Sequence, residues 1–232
     1  MTDLVERAIA AHVGGDRFVG ARRLRVRLRV GGNILMTKLR SPRKRRYELE
    51  VDLGRPHARL APFHRPGRAG VFDGDRVAIE EDGGVVSARD GAREHARRHR
   101  VWDELDLLYF LGYALWNYML TPVYFRWPGF VTRELEPWRG LRRLEVTYPE
   151  AFPTHCRVQT FYFDDAARLT RLDYTAEVFG RVRGAHLCED HRELGGIVVP
   201  THRHVCAVGR DLAPVRWFPR AMEGWVYEVA IE

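Results

Sequence analysis

Histidine and carboxylate side chains recur at alternate positions in a predicted hairpin towards the end of the sequence. Its strands cover residues 185–208, and a two-residue turn at Gly195-Gly196 places Glu189 opposite His202. Because side chains alternate along a strand, one face of this hairpin collects four potential metal ligands: Glu189, His191, His202 and His204. Three imidazoles and one carboxylate suit iron, zinc or manganese.

The other face of this hairpin is the more apolar one. It carries Ile197, Val199 and Val205, which is typical of a strand face that packs on a core, so the histidine-rich face is predicted to be solvated. We therefore expect no bound metal. If an ion is present, its ligands are predicted to be the four side chains of the histidine-rich face.

Acid–base chemistry has its candidates on the core-facing side of the same hairpin. His186 and Asp190 share that side, with Asp190 opposite Thr201 and diagonal to Arg203. If this side lines a cavity, His186 beside Asp190 can transfer protons to and from a ligand. The alternative is a buried ion pair between Asp190 and Arg203 with a structural role only.

The preceding hairpin, within residues 155–179, contributes two tyrosines. Tyr162 and Tyr174 are predicted on its mostly apolar, inward face, where their hydroxyl groups could orient a ligand or donate a proton. The opposite face carries His155 and Asp173, which indicates solvated ion pairs. These two residues can form a catalytic pair only if their face is the lumen.

The hydrophobic segment at residues 102–120 must be placed relative to these hairpins. Within the sixteen residues 105–120 only Asp106 and Asn117 are strongly polar, and a helix that is apolar on all sides is buried in protein or in a membrane. Such a helix reaches about 24 Å, short of the roughly 30 Å of a bilayer core, and Pro122 ends it. We therefore predict an internal helix around which a sheet wraps.

Alternating patterns predict strands on both sides of this helix. The clearest is residues 23–30, where Leu and Val alternate with Arg. Alternation and intervening turn residues predict the other strands at 34–39, 46–53, 71–79 (a hairpin), 85–88, 141–148, 155–163, 169–179, 185–193, 197–208 and 225–231. A short helix is predicted at 3–13, a loop at 54–70 and a linker at 121–140.

These elements predict a single α+β domain over residues 1–232. No composition shift or low-complexity tract marks a domain boundary, and antiparallel strands at this spacing form a barrel or a sandwich. With the hydrophobic aromatic helix inside, the expected fold is a strongly curved antiparallel β-sheet, a half-open barrel, wrapped around that helix.

Four motifs give the chain a family resemblance. They are Trp102-Asp103-Glu104-Leu105-Asp106, Tyr109-Phe110-x-Gly112-Tyr113-Ala114-x-Trp116-Asn117-Tyr118, Leu172-Asp173-Tyr174 and Pro200-Thr201-x-Arg203-x-Val205. With these motifs, residues 20–230 resemble a family of uncharacterised bacterial proteins. The order of meander, helix and second meander is similar to the half-open barrel of the bacterial lipoprotein carriers, the LolA-like fold. The resemblance implies a hydrophobic cavity but assigns no catalytic residues.

The basic charge does not indicate a nucleic-acid partner. The net charge is +7, and all 38 basic residues except Lys38 and Lys44 are arginines spread along the chain. One dense cluster consists of Arg40, Arg43, Lys44, Arg45 and Arg46. The sequence has no helix-turn-helix, zinc-finger or RNA-recognition signature, so we interpret this cluster as solvated surface and expect no nucleic-acid binding.

The cysteines indicate a reducing compartment. Cys156, Cys188 and Cys206 cannot all pair, and none belongs to a CxxC motif. Residues 1–13 contain charged side chains and no apolar signal region, so we expect a cytoplasmic protein without a membrane span.

The sequence predicts a protein that binds a hydrophobic small molecule or lipid-like ligand in the barrel cavity. Six side chains are predicted to contact this ligand: Tyr109, Tyr113, Trp116, Asn117, Tyr162 and Tyr174. The alternative is an enzyme acting on such a ligand, an isomerase, cyclase, hydrolase or metal-dependent oxygenase, with acid–base chemistry from His186, Asp190 and Tyr174. There is no P-loop, dinucleotide fingerprint, GxSxG or HExxH motif, so the sequence identifies no cofactor.

Overall fold

Within the residues that the structure describes, thirteen strands form one antiparallel sheet. The computed structural model describes residues 3–14, 17–35, 38, 45–209, 211–213, 215 and 221–232. The strands are β1 (Arg23–Gly31), β2 (Arg45–Asp52), β3 (His57–Ala61), β4 (Arg68–Asp73), β5 (Arg76–Glu81), β6 (Gly84–Arg89), β7 (Val131–Trp138), β8 (Leu141–Thr147), β9 (Val158–Phe163), β10 (Leu169–Ala176), β11 (Val182–Leu194), β12 (Ile197–Ala207) and β13 (Met222–Ile231).

The sheet is a continuous meander with one exception. Its strand order is β6-β5-β4-β3-β2-β1-β13-β12-β11-β10-β9-β8-β7, so β1 and β13 are the one pair of neighbours that are not consecutive among the described strands. Strands β6 and β7 are the two edges and do not pair, which leaves the curved sheet unclosed. The predicted fold class, a curved antiparallel half-barrel with helices, is confirmed.

Strand β1 shows how an arginine-rich alternation fits the centre of the sheet. Leu24 and Val26 are fully buried on the inner face. On the outer face, Arg27 lies between Glu48 of β2 and Glu228 of β13, at nitrogen–oxygen distances of 3.4 and 2.9 Å. Acidic residues on both neighbouring strands thus balance the arginine, although each exposed pair contributes at most about 1 kcal/mol.

In the part of the chain that the structure describes, three α-helices of at least seven residues accompany the sheet: α1 (Asp3–Val13), α2 (Ala92–Arg98) and α3 (Glu104–Leu120). Helix α3 begins with a capping box, in which the Asp103 carboxylate accepts hydrogen bonds from the backbone N–H groups of Leu105 and Asp106. All residues of α3 except Glu104 and Tyr118 are buried. This matches the prediction of an internal helix.

Helix α3 approaches β4 closely through two glycines. A Cβ atom at Gly112 would lie 2.3 Å from the Cβ of Phe72, and one at Gly70 would lie 2.5 Å from Cδ1 of Leu108. Neither distance leaves room for a methyl group. Glycine at both positions therefore sets how near the helix lies to the inner face of the sheet.

The start of α3 is held by charged side chains. Arg89 donates hydrogen bonds to Asp103 and Asp106, and His95 of α2 places Nδ1 2.7 Å from the Asp106 carboxylate. Burial alone would raise the pKa of Asp103, but the hydrogen bonds from Arg89 and from the helix backbone lower it to about 2. The capping carboxylate is therefore ionised at neutral pH.

Two strands lie where the sequence predicted none. Strand β3 falls within the predicted loop 54–70, because its five residues are flanked by Gly, Pro and His. Strand β7 falls within the predicted linker 121–140, because an edge strand with mostly exposed side chains lacks apolar alternation.

Parts of other predicted elements differ or are not described. Asn33–Leu35 is a short 3-10 turn rather than the start of a strand, and residues 36, 37 and 39 lie outside the described residues. Of the basic cluster, Arg40, Arg43 and Lys44 also lie outside them, whereas Arg45 and Arg46 begin β2. In the described part of the chain no helix has both the length and the apolar character to cross a membrane.

Candidate functional site

An apolar cavity of about 60 Å³ lies between α3 and the strands at the centre of the sheet. The strand side of its wall belongs to β1, β12 and β13 and includes Leu28, Val30 and Val226. The helix side is formed by Phe110, Leu111, Ala114, Leu115, Tyr118 and Met119. The cavity therefore lies where the first described strand, β1, pairs with the last, β13.

A second cavity of about 40 Å³ adjoins the first. Phe110, Tyr174, Val205 and Met222 line both spaces, so rotation of a few side chains would join them. The second cavity continues towards β10 and β11 and reaches Phe179. Together they outline an apolar path along one face of α3.

Arg203 of β12 is the buried cation of this wall. Only 7% of the residue is exposed. Its Nη2 atom donates to the backbone oxygen of Tyr118 at 3.1 Å, its Nη1 atom contacts Cys188 Sγ at 3.2 Å, and its Nε atom has no hydrogen-bond partner. Among the described residues, no carboxylate forms an ion pair with this guanidinium.

The hydrogen bond from Arg203 to α3 follows from the sequence of the helix end. The carbonyl of Tyr118 would ordinarily accept from the N–H of the fourth residue after it, but that residue is Pro122, which has no N–H. The Arg203 guanidinium supplies the missing donor and places a positive charge at the C-terminal end of the helix dipole.

His186 of β11 lines the same cavity. The residue is 2% exposed, and neither ring nitrogen has a hydrogen-bond partner in the described structure. Its ring packs edge-on against the Tyr118 ring at a centroid distance of 4.4 Å. Burial, with the positive charge of Arg203 nearby, holds the pKa of His186 well below its usual value, so the imidazole is neutral.

His155 forms a hydrogen-bonded unit behind this wall. Its Nδ1 lies 3.0 Å from the Tyr113 hydroxyl and its Nε2 lies 2.6 Å from the Tyr118 hydroxyl, while its ring stacks on Tyr174 at 4.0 Å. Burial lowers the pKa of His155 to about 3. A neutral imidazole carries one N–H, so one tyrosine accepts a hydrogen bond from it and the other donates one.

Four helix side chains predicted to contact the ligand face away from the cavity. Tyr109 packs on Phe72, Trp116 donates its Nε1–H to the carbonyl of Asp52, and Asn117 donates to the carbonyl of Pro153. Tyr113 binds His155 without reaching the cavity wall. The cavity instead faces the stripe of Leu111, Ala114, Leu115 and Tyr118.

Of the two tyrosines predicted on the sheet, Tyr174 lines the cavity and Tyr162 does not. Phe161 pairs with Leu172 and faces inward, so Tyr162 faces outward and donates its hydroxyl to Asp173 at 2.8 Å. The predicted face of β9 was therefore wrong by one residue, because large phenylalanines at 161 and 163 take the inner positions. His155 is buried and Asp173 lies outside, so they form no pair.

Asp190 does not reach His186 or Arg203. Its backbone has a φ of 52°, outside the regular strand conformation, and the residue is exposed. Neither the predicted acid–base pair with His186 nor the predicted buried ion pair with Arg203 is formed. Arg203 was correctly placed on the core-facing side, but without its expected partner.

The histidine-rich face is assembled only in part. Glu189, His202 and His204 each offer a ligand atom within 4.8 Å of the others, on the outer side of the sheet. His191 lies apart, with Nε2 3.0 Å from the carbonyl of Leu169. Three of the four candidate ligands could therefore share an ion.

Comparison with known proteins supports the fold. No family model matches the chain, and no curated protein matches it significantly in sequence. Among solved structures, a LolA superfamily protein from Nitrosomonas europaea is similar over 99% of this chain and 92% of its own, at TM-score 0.55 and 10% identity. A DUF1329 family protein from Desulfovibrio piger is similar over 100% and 94%, at TM-score 0.55 and 12% identity. The LolA-like layout is thus confirmed as a likeness of fold.

Proposed function

We propose that this protein binds a hydrophobic small molecule or lipid-like ligand in the cavity between α3 and strands β1, β12 and β13. The observation that carries the proposal is the cavity itself, an apolar space inside a half-open sheet with a small number of polar groups on its wall. Ligand sites in proteins have this character. The sheet's open edges would allow its curvature to adjust around a ligand.

The cavity is small, which determines how binding must occur. Its volume of about 60 Å³ is well below the roughly 300–1,000 Å³ of typical ligand pockets. A chain-like ligand must therefore displace wall side chains. Met119 on α3 and Met222 on β13 face this space, and unbranched methionine side chains change conformation readily. We expect ligand binding to reorient them.

A filling substitution tests this proposal. Native protein without detergent should bind the apolar dye Nile red at one molecule per chain. Ala114→Leu adds volume inside the cavity and should weaken dye binding about tenfold, with a stability change of about 1–3 kcal/mol or less. Fluorescence titration and urea unfolding measure the two effects.

Trp116→Phe is the matched control. Trp116 is buried in α3 but lies outside the cavity wall, so its truncation should lower stability and leave dye affinity unchanged. Native protein that binds no dye, or dye binding that Ala114→Leu does not affect, contradicts the proposal.

The geometry gives less support to the enzyme alternative. His186 lacks the carboxylate partner that would orient it, because Asp190 is exposed. Tyr174 remains on the wall, stacked on neutral His155. Its pKa is raised by burial, so its hydroxyl is protonated and suited to donating a hydrogen bond to a ligand.

We further propose a cytoplasmic location. Cys156, Cys188 and Cys206 are all buried and unpaired, as expected for a protein that folds in a reducing compartment. Fractionation of the producing cells, with a periplasmic marker as reference, tests this location.

A further inference from the structure

We propose that the ligand is an amphipathic monocarboxylate and that Arg203 and His186 bind its carboxylate inside the cavity. This inference rests on the proposed function and specifies the class of ligand. The polar end would lie against β11 and β12, and the apolar chain would follow the α3 stripe of Leu111, Ala114 and Leu115.

The first observation is an uncompensated buried charge. A guanidinium has five N–H donors, and Arg203 directs one to the Tyr118 carbonyl and one to Cys188 Sγ, which leaves three. A buried cation without an anionic partner is unfavourable in a low-dielectric interior. A carboxylate entering the cavity would provide the missing charge and could accept two of the free N–H groups.

The second observation is independent of the first. His186 is buried with both ring nitrogens free of hydrogen bonds, and it lines the same cavity as Arg203. A buried polar group is ordinarily satisfied within the protein or by a bound molecule. A neutral imidazole can donate one hydrogen bond to a carboxylate oxygen.

The role of Arg203 at the end of α3 does not account for these features. Covering the Tyr118 carbonyl requires one N–H, which a neutral amide could supply equally well. The role of Arg203 at the helix end also does not explain why His186, whose ring nitrogens have no hydrogen-bond partner in the described structure, is buried beside it. The two roles of Arg203 are compatible, because one N–H group can donate to the Tyr118 carbonyl while others donate to a bound carboxylate.

Charge matching selects a carboxylate over a phosphate. Arg203 supplies one positive charge and His186 is neutral, so the polar end balances one negative charge. Glu223 does not alter this balance, because its carboxylate lies 4.0 Å from His202 Nε2 on the side of the histidine-rich face. A dianionic phosphate would therefore leave a negative charge uncompensated.

The test compares three probes with the same twelve-carbon chain: dodecanoate, dodecanol and dodecyl phosphate. Binding to the native chain is measured by displacement of Nile red. We expect dodecanoate to bind about ten- to a hundredfold more tightly than dodecanol, the effect of charge-assisted hydrogen bonds, and more tightly than dodecyl phosphate.

Substitutions at Arg203 and His186 test whether these residues cause the preference for dodecanoate over dodecanol. Arg203→Gln keeps a donor for the Tyr118 carbonyl and removes the charge, so it should abolish the preference for acid over alcohol. His186→Phe should reduce the preference in part. Arg27→Gln, on the outer face of β1, is the control and should not alter it. If Arg203→Gln fails to fold, Arg203→Lys retains the charge without the fork and should show a reduced preference.

Each outcome decides between the hypotheses. Equal affinity of native protein for dodecanoate and dodecanol, or a preference that survives Arg203→Gln, overturns the carboxylate site but leaves the proposed function intact. Tighter binding of dodecyl phosphate overturns the assignment to a monocarboxylate. Failure of all three probes and of the dye overturns the proposed function and this inference with it.

Discussion

At the scale of single residues, buried histidines are an unusual feature of this protein. His12 of α1 is 5% exposed, and its two ring nitrogens have fixed roles. Nδ1 donates to the carbonyl of Ala8 at 2.8 Å, and Nε2 accepts the backbone N–H of Leu169 at 3.2 Å. Protonation of Nε2 would remove this acceptor, so the fold requires the neutral ring.

The pH dependence of stability should reflect His12. Burial lowers the pKa of His12 from 6.5 to about 4, so between these values the unfolded chain binds more protons than the folded one. The contribution of His12 is complete above pH 6.5 and decreases as the pH falls towards 4, by at most about 1.4 kcal/mol per pH unit. Urea unfolding at pH 7.5 and 5.0 should show this loss.

His12→Gln isolates the effect. The variant should be less stable at pH 7.5, yet it should lose less stability than the native chain between pH 7.5 and 5.0. Ile9→Val, on the same helix, should lower stability by about 0.5–1.5 kcal/mol at both pH values. Parallel pH profiles for the native chain and His12→Gln would contradict the role of His12.

Sequence reasoning located some of the site residues but not their partners. His186 and Arg203 could be placed on the core-facing side from strand alternation alone. The exposure of Asp190 depends on its positive φ, which no turn motif in the sequence predicts. Tyr118 and His155 were missed as a unit because they are 37 residues apart and meet through tertiary packing.

At the scale of elements, a glycine determines how closely α3 packs against β4. Gly112 faces Phe72 at a distance that excludes any side chain. Replacing glycine by alanine inside a helix ordinarily favours the helix by about 1 kcal/mol. Here the methyl group would collide with the Cβ of Phe72, an atom that moves only with its backbone.

Gly112→Ala should therefore destabilise the protein. We expect overpacking of about 1–3 kcal/mol, or more, to outweigh the gain in helix propensity, as measured by urea unfolding. Gly84→Ala is the control, because its Cβ would meet nothing nearer than 3.9 Å, and it should change stability little. A stabilised Gly112→Ala variant would show that the helix does not lie this close to β4.

The strength of the apolar pattern explains which elements could be predicted. The length and burial of α3 follow from a run with almost no polar residues, but such a run has no polar side to indicate which face meets a cavity. The residues predicted to contact the ligand at 109, 113 and 116 instead contact Phe72, His155 and Asp52, and the stripe at 111, 114 and 118 lines the cavity. Strand β7 could not be predicted because edge position depends on the whole topology.

At the scale of the whole molecule, the pairing of β1 with β13 joins two halves of the sheet. Val229 of β13 is buried opposite Val26, at the junction of strands β1–β6 with strands β7–β13. Because both halves also pack on α3 or its neighbours, we propose that the chain unfolds as a single domain.

Val229→Asp should test this cooperativity. A buried, unpaired charge at the junction should cost about 3 kcal/mol or more, whereas Tyr227→Asp, at a position 52% exposed, should cost under about 1 kcal/mol. Amide hydrogen exchange should show protection falling together in β2–β5 and in β8–β11. Retained protection in one half alone would instead indicate two independently stable units.

The central position of β13 also has a consequence for protein synthesis. A ribosome releases β13 after the other twelve strands, yet this strand belongs between β1 and β12. Until it arrives, those two strands have no common neighbour, and the cavity lacks the wall formed by Met222, Gly224 and Val226. Among the described strands, the region around the cavity is therefore the last to be assembled during translation, so a nascent chain that stops before residue 222 cannot form this cavity, although most of its strands have already been made.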